Sequence, residues 1–170
     1  MYRLLIVTLL LGVMTGCSKP YPPLNTVNKV DLQKYLGTWY EIARYEHSFE
    51  KGCRDVTATY SLKDDGDIKV INRCAKDDGK RTEAVGVAYA TDPSGSKLRV
   101  SFFRPFYGNY WVLILDKDYR YAVIGDPSRE YLWILSRTPV LNKNIREKIL
   151  KKLPDMGYSL EPIVWTLQGE

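Results

Sequence analysis

Eight short runs of strand-forming residues, joined by turns of a few residues, restrict the fold of this chain more than any other feature. In the clearest run, Val56, Ala58 and Tyr60 alternate with threonine and serine, the period-two pattern of a half-buried strand. The turns are rich in Asp, Gly and Pro and have the lengths of hairpins. Because closing an eight-stranded meander into a barrel removes its exposed edges, the sequence predicts an all-β, up-and-down antiparallel barrel. The strands are expected over residues 37–45, 56–61, 68–74, 82–90, 97–103, 110–115, 119–125 and 131–136.

Three further elements are predicted around the barrel. A short helical turn is expected over residues 30–36, where Asp31 can cap its start. Residues 142–153 carry apolar side chains at helical spacing on one face and Lys or Arg on the other, so this helix should pack on the outside of the barrel. The apolar run at residues 163–167 predicts a short final strand.

Composition argues against two functional classes. The net charge of +5 is spread among mixed acidic and basic residues without a basic block, so no nucleic-acid partner is expected. The chain has 13 tyrosines and four tryptophans but only one histidine, His47, which suits an aromatic-lined barrel better than a metal centre. We therefore expect neither a metal site nor a cofactor.

The N-terminal residues have the layout of an export signal. Arg3 precedes an apolar run at residues 4–13 that is too short to span a bilayer as a helix. The following Met14-Thr15-Gly16-Cys17 resembles the lipobox of bacterial lipoproteins, in which the signal is cleaved before a lipidated cysteine. An ordinary signal peptide followed by an incidental Cys17 is the alternative interpretation.

The lipobox divides the chain into three parts. Residues 1–16 are interpreted as the lipoprotein signal peptide, residues 17–28 as the lipidated N-terminus and a proline-containing tether, and residues 29–170 as the folded domain. In lipoproteins of this kind, Ser18 after the cysteine is read as permitting export to the outer membrane of a Gram-negative bacterium. The domain is then expected in the periplasm, held to the membrane by its lipid anchor.

Two of the three cysteines are expected to pair. If Cys17 carries lipid, Cys53 and Cys74 remain, and an exported protein meets an oxidising compartment. The hairpin at residues 64–67 brings the start of the second strand beside the end of the third. The two cysteines therefore lie close together, with an offset of a residue or two from slippage or a bulge, and a disulfide is predicted.

Three short motifs resemble the signatures of the lipocalin family, in the right order. They are Gly37 with Trp39 at the start of the first strand, Asp118-Tyr119 in the turn before the seventh, and Arg137 just after the eighth. The resemblance extends over nearly all of the mature chain. It implies that Arg137 lies across the ring of Trp39 at the closed end of the barrel, in a structural cation–π contact.

The resemblance also selects which face of each strand points inward. The interior is expected to be an apolar cup for one small ligand, with small residues on the fourth strand leaving room and aromatic residues lining the walls. Tight packing without a ligand is the alternative for each residue taken alone. The expected lining is Val56, Ala58, Tyr60, Val70, Asn72, Ala84, Gly86, Ala88, Val100, Phe102, Tyr110, Val112, Ile114, Ala122, Ile124, Tyr131 and Trp133. Ile68, Leu98 and Leu135 are also expected to face inward.

An acyl chain suits such a cup, since each buried methylene contributes about 0.8 kcal/mol. The resemblance favours a fatty acid or a lysophospholipid as the ligand that the protein stores or transports, possible partners being that lipid, the membrane and a second copy of the chain in a homodimer. Candidates to meet an anionic head group at the mouth are basic, although each is also expected as a plain solvated side chain. They are Lys51, Arg54, Arg73 and Arg104.

Two other functions are alternatives to lipid binding. A hydrolase is disfavoured because His47 and Ser48 lie in a loop without a Gly-x-Ser-x-Gly elbow. Glu41 is expected to be buried in a hydrogen bond rather than to act in catalysis, so no catalytic residue and no enzyme activity are predicted. The remaining alternative is a scaffold with a fully packed barrel that acts through its surface.

Overall fold

The computed structural model describes residues 21–76 and 78–169, so the predicted signal peptide and Cys17 lie outside the described residues. No helix in the described chain is both long and apolar enough to cross a membrane. The strands are β1 (Gly37–Tyr45), β2 (Cys53–Leu62), β3 (Ile68–Lys76), β4 (Arg81–Ala90), β5 (Lys97–Phe103), β6 (Phe106–Leu115), β7 (Tyr121–Gly125), β8 (Leu132–Ser136) and β9 (Ile163–Trp165). The helices are α1 (Leu32–Tyr35), α2 (Lys143–Lys152) and a 3-10 turn (Pro154–Met156).

Strands β1 to β8 form a closed antiparallel barrel in which each strand pairs with the next along the chain. Closure comes from β1, in which residues 37–40 pair with β2 and residues 40–44 pair with β8. A register shift between Glu41 and Ala43 bends β1, and its last three residues pair with β9 on the other edge. The predicted eight-stranded barrel with an outer helix and a final strand is confirmed.

Alternation along the strands separates the apolar residues into an inner and an outer core. In β7, Ala122 and Ile124 belong to the inner cluster around Trp39, whereas Val123 faces outward. Val123 belongs to the outer cluster with Ile149 of α2. The outward-facing strand residues, which recur at every second position, therefore pack against the apolar face of α2, whose residues recur every 3.6 positions. Helix α2 thus covers one side of the barrel.

Helix α2 forms where its sequence pattern predicts. The Asn142 side chain accepts a hydrogen bond from the Asn144 N–H at 2.9 Å and caps the start. Ile149 and Leu153 are buried on the barrel face. Pro154 starts the 3-10 turn after the helix, and Gly157, at φ +85°, ends that turn in the left-handed conformation.

The segment before α1 packs against the barrel earlier than the predicted boundary at residue 29. Leu24 is buried in the outer core, and the Val27 N–H donates to the Val112 carbonyl at 2.9 Å. The Val30 N–H donates to the Ser94 carbonyl at 2.8 Å. Residues 21–28 therefore lie along the barrel rather than forming a spacer, and Asp31 then caps α1 as expected.

Strand β6 begins earlier than predicted and contains a bulge, although it ends at Leu115 as expected. It begins at Phe106 rather than at residue 110, because Phe106 pairs with Phe103 and leaves Arg104-Pro105 as the whole turn. Further along, a register shift places Val112 opposite Ile124 but Ile114 opposite Val123. This bulge reverses the side-chain alternation from that point onward.

The predicted disulfide between Cys53 and Cys74 is present, with the two Cα atoms 5.4 Å apart. Cys53 is paired in register with Lys76, so the cysteines are offset by two residues. A register shift between Arg54 and Thr57 accompanies this offset, as anticipated for this hairpin.

Candidate functional site

The barrel has two different ends. Turns that follow β2, β4 and β6 gather at one end, which α1 covers, and we call this the closed end. Turns that follow β1, β3, β5 and β7 gather at the other, which we call the open end because a cavity is lined there by residues of the β1–β2 loop and the β7–β8 turn.

At the closed end, Arg137 and Trp39 form the contact that the motifs predict. The guanidinium carbon lies 3.8 Å from the centre of the Trp39 ring. The same guanidinium donates to the carbonyls of Thr38 at 2.9 Å and Leu36 at 2.8 Å, among others. The indole N–H donates to the Tyr35 carbonyl at 2.8 Å, so this large buried side chain leaves no polar atom unpaired.

The other signature residues have unequal roles. Gly37 has φ +91°, and a Cβ there would stand 3.4 Å from an Arg137 nitrogen, so glycine suits both the turn and the close approach. The Tyr119 hydroxyl accepts a hydrogen bond from the Asp31 N–H at 2.8 Å and ties α1 to the β6–β7 turn. Asp118, by contrast, is exposed, and the turn is organised by the buried Asp116, which accepts from Arg120 at 2.7 Å.

Above the closed end lies a cavity of about 560 Å³ that opens between the loops. Its volume lies within the range of roughly 300–1,000 Å³ common for small-molecule pockets. Its wall is mainly apolar. Eleven of the predicted lining residues lie on it: Val56, Ala58, Tyr60, Val70, Asn72, Ala88, Val100, Phe102, Tyr110, Tyr131 and Trp133.

Four predicted lining residues are not part of the cavity wall because they are packed. Val112, Ala122 and Ile124 are completely buried with Trp39 in the inner core, at the level where the barrel is filled. Ile114 packs on the outer core instead, since the bulge in β6 turns its side chain outward. The alternative of simple packing therefore holds for these four residues.

Two further predicted residues, both on β4, also lie outside the cavity wall. Pairing between β4 and β5 covers only residues 87–90 of β4, so Ala84 lies beyond the paired region and is exposed. A Cβ on Gly86 would stand 2.8 Å from the Phe102 ring, which shows that this ring covers the glycine. The side chain of Phe102 thus fills the room that the small residues were expected to leave.

Three tyrosine hydroxyls form a chain at the floor of the cavity. The Tyr110 hydroxyl lies 2.8 Å from that of Tyr35 and 2.9 Å from that of Tyr60. Burial raises the pKa of all three phenols, that of Tyr60 to about 12, so they remain neutral. Tyr35 was missed from the sequence because it belongs to α1 and not to a strand.

On the wall, Glu41 forms a buried ion pair with Arg44. The side chains are 4% and 2% exposed, and Arg44 Nη1 donates to Glu41 Oε1 at 2.7 Å. The Thr166 hydroxyl also donates to Glu41. Arg44 Nη2 further donates to the Glu50 carbonyl at 3.0 Å, which ties the β1–β2 loop to the barrel. The expectation that Glu41 would be buried in hydrogen bonding is confirmed.

Glu50 places a second carboxyl group beside this pair. Its Oε2 accepts from the Trp133 indole N–H at 3.1 Å. Burial, and then the negative charge of Glu41, raise the pKa of Glu50 to about 7. Glu50 lies in the β1–β2 loop, so the alternation that predicts inward-facing strand residues could not identify it. Its one sequence signal is that it lies close to the first strand.

The charged side chains of the wall are acidic. Glu41, Glu50, Asp126 and Glu130 line the cavity, whereas no Lys or Arg does so among the described residues. None of the four basic candidates for a head-group contact lines the cavity. Arg73 points outward, because the strand alternation that turns Asn72 inward turns Arg73 out, and it pairs with Glu83 at 2.9 Å. Lys51 and Arg104 lie in the β1–β2 and β5–β6 turns at the open end, so a head-group contact at the mouth stays a prediction for them. Three residues that were also expected to face inward lie on the wall as well: Ile68, Leu98 and Leu135. The lining residues that the sequence did not predict are Tyr35, Phe49, Phe106, Tyr107, Gly108, Asn109 and Ser128.

His47 serves an aromatic stack at the open end. Its ring lies 4.2 Å from the centre of Tyr131 and 5.5 Å from that of Phe49, while Tyr131 in turn stacks on Trp133. Within residues 21–76 and 78–169, no three His, Cys, Asp or Glu side chains are grouped so as to hold a metal ion. The mainly apolar cavity wall with its few polar groups suits binding of an apolar molecule with a small polar head.

Comparison with known proteins now decides the family. The Lipocalin-like domain family matches residues 30–168, from just before α1 through the segment after β9. The chain belongs to the lipocalin family. The resemblance read from three short motifs is thereby confirmed, and members of this family generally bind or transport small hydrophobic molecules.

Bacterial relatives of this lipocalin are similar over almost their full length. It is 47% identical over 160 residues to the Outer membrane lipoprotein Blc of Citrobacter freundii, covering 92% of this chain and 90% of that protein. It is 40% identical over 159 residues to the protein of the same name from Vibrio cholerae, covering 92% and 93%. Insecticyanin from the tobacco hornworm shares the fold, with a TM-score of 0.70 at 22% identity over 89% and 87% of the two chains.

Proposed function

We propose that this lipocalin is a lipoprotein of the bacterial outer membrane that holds one single-chain lipid in its barrel and stores or carries it within the envelope. The observation that carries the proposal is the mainly apolar cavity of about 560 Å³, which is lined at the open end of the barrel by residues of the β1–β2 loop and the β7–β8 turn. The lipobox at Cys17 and the names of the bacterial relatives support the location. A fatty acid and a lysophospholipid are the two ligand classes considered.

The polar groups of the cavity favour the lysophospholipid. No Lys or Arg lines the cavity to pair with a free carboxylate, and Arg44 beside Glu41 is already held in a buried ion pair. An amine-bearing head group would instead be attracted by the carboxyls of Glu50, Asp126 and Glu130 on the wall. Asn72 Oδ1 is buried without a hydrogen-bond partner in the described chain, and is available to a ligand hydroxyl. These features point to a lysophospholipid with a zwitterionic, amine-bearing head.

Filling the cavity tests the proposal. Ala88 lies on the cavity wall, so Ala88→Trp should place an indole where the acyl chain is expected and weaken binding about 100-fold. Tyr89 lies next to it on the opposite face of β4, so Tyr89→Trp is the matched control and should bind like the parent protein. Binding is measured by titrating delipidated protein with a fluorescent fatty acid.

Competition against the same probe separates the ligand classes. Lysophosphatidylethanolamine should displace the probe at a lower concentration than palmitate does at neutral pH. Stronger displacement by palmitate would contradict the head-group assignment while leaving the acyl cavity intact. Absence of saturable binding by the delipidated parent protein would instead favour a scaffold that acts through its surface.

A further inference from the structure

Exposed aromatic side chains surround the open end of the barrel. Phe103 and Phe106 stack at 6.2 Å across the β5–β6 turn and are 75% and 70% exposed. Phe102 and Phe49 are also exposed, and together we call these four residues the mouth aromatics. Three of them, all but Phe103, also line the cavity. Phenylalanine gathered at a pocket mouth marks a surface that contacts something apolar.

The described chain begins at the same end. The Tyr21 ring lies 5.1 Å from the guanidinium of Arg129, and Arg129 donates a hydrogen bond to the Pro22 carbonyl. Arg129 belongs to the β7–β8 turn, whose neighbours line the cavity. From there the chain runs along the barrel to Val30, which contacts the β4–β5 turn at the closed end. The N-terminus therefore approaches the barrel at its open end.

Chain length fixes how far a lipid on Cys17 can lie from that end. Four residue steps separate Cys17 from Tyr21, and an extended chain covers at most about 14 Å over that distance. The β5–β6 and β7–β8 turns lie two strand spacings apart on the barrel rim, about 10 Å. The anchor and the mouth aromatics are thus confined to the same end of the molecule.

We propose that the open end docks on the surface of the bilayer, with the mouth aromatics in the lipid interface and the cavity facing the membrane. The occupant of this surface is a bilayer because Arg104 lies between Phe103 and Phe106 with no acidic residue in that turn, a combination suited to anionic head groups. The ligand then passes between membrane and cavity without crossing water. This inference rests on the lipid anchor and the lipid ligand proposed above.

Depth-dependent quenching tests the orientation without requiring a bound ligand. Phe103 is the position to label because it does not line the cavity. In the lipidated protein, a Phe103→Cys variant carrying a bimane label is reconstituted in phosphatidylethanolamine–phosphatidylglycerol vesicles that contain doxyl lipids. Val140→Cys is the matched control, since Val140 is 79% exposed but follows β8 beside the closed end. Strong quenching at position 103 and little at 140 is expected; equal quenching at both would overturn the proposal.

Transfer kinetics provide the second measurement. Uptake of a fluorescent lysophosphatidylethanolamine from vesicles should slow about 10-fold in Phe103→Ser, while Val140→Ser is unchanged and the affinity in solution is the same for both. Equal uptake by the two variants would count against docking. If neither variant nor the parent binds the probe, the ligand proposal fails, and the quenching result still decides docking.

An unlipidated variant measures how much the mouth aromatics bind the membrane without the lipid anchor. It also shows whether a second copy of the chain covers them instead. Cys17→Ser should reduce vesicle binding strongly but leave a residual binding that falls further with Phe103→Ser. Sedimentation of this form shows whether the mouth aromatics instead cover one another in a dimer. A dimer that Phe103→Ser dissociates, together with unquenched label at position 103, would replace the membrane by a second copy as the occupant.

Discussion

The closed and open ends of the barrel differ in whether their polar groups have hydrogen-bond partners and whether their aromatic rings are buried. At the closed end, the Trp39 indole N–H and the guanidinium of Arg137 have hydrogen-bond acceptors, and both groups sit against each other. At the open end, Glu50 carries a carboxyl with a raised pKa and Phe103 is exposed, and in the cavity Asn72 has an amide oxygen without a partner in the described chain. Satisfied polar groups stabilise one end, whereas unsatisfied groups and exposed rings make the other available for binding.

The largest effect is expected from breaking the closed end. Arg137→Ala removes the cation–π contact and leaves several backbone carbonyls without their donor. The free energy of unfolding should fall by about 3 kcal/mol, because hydrogen bonds to a charged group and a partly desolvated cation–π contact each contribute about 1.5–3 and up to about 2 kcal/mol, respectively. Equilibrium unfolding in urea measures this loss.

Two matched variants sharpen that measurement. Arg137→Lys keeps the charge but not the planar fork, so it should retain only part of the stability. Arg73→Ala removes an exposed pair with Glu83 and should change stability by less than about 1 kcal/mol. If Arg137→Ala is no more destabilising than Arg73→Ala, the closed end is not the stabilising region that its contacts indicate.

The closed end was also the region best predicted from sequence. There, the match of Gly37, Trp39 and Arg137 to the lipocalin signatures implied the contact between Arg137 and Trp39, and the contact is present. Hairpin turns and alternation, by contrast, predicted the barrel and the proximity of Cys53 to Cys74 from the residues themselves. Such features are local, or are propagated by strand pairing, and can therefore be read from one sequence.

The cavity lining was predicted less completely than the closed-end contacts because it depends on departures from regular strand pairing. The bulge in β6 moved Ile114 outward, and the Phe102 ring covered Gly86 where β4 and β5 separate. Glu50 and Tyr35 reach the cavity from a loop and a helix, so strand alternation gave no information about them. A bulge or a loop conformation has no fixed period in the sequence.

At the open end, titration of Glu50 should be measurable as a change of stability with pH. Its pKa is raised from 4.5 to about 7, so between these values the folded state binds more protons than the unfolded state. The stabilisation is fully present below about pH 4.5 and is lost as pH rises through 7. The free energy of unfolding should therefore decrease from pH 5 to pH 8, and Glu50→Gln should flatten that decrease.

A carboxyl outside the buried cluster is the control for this titration. Glu130 lies at the open end but is exposed, so Glu130→Gln should leave the pH dependence of the unfolding free energy as in the parent protein. Glu41, Arg44 and Trp133 face Glu50 and remain unchanged in both variants. A decrease from pH 5 to pH 8 that persists undiminished in Glu50→Gln would assign the titration to another group.

The smallest effect is expected for a signature residue at the closed end. Asp118 is exposed and its nearest basic partners stand 3.8 and 4.0 Å away, so Asp118→Ala should change the unfolding free energy by less than about 0.5 kcal/mol. Asp116→Ala should cost about 1–2 kcal/mol, because Asp116 accepts from the Asp118 and Arg120 N–H groups and from the Arg120 guanidinium. If Asp118→Ala lowered the unfolding free energy in urea more than Asp116→Ala did, Asp118 would be the aspartate that stabilises the turn. Motif position would then predict the stabilising aspartate better than burial does.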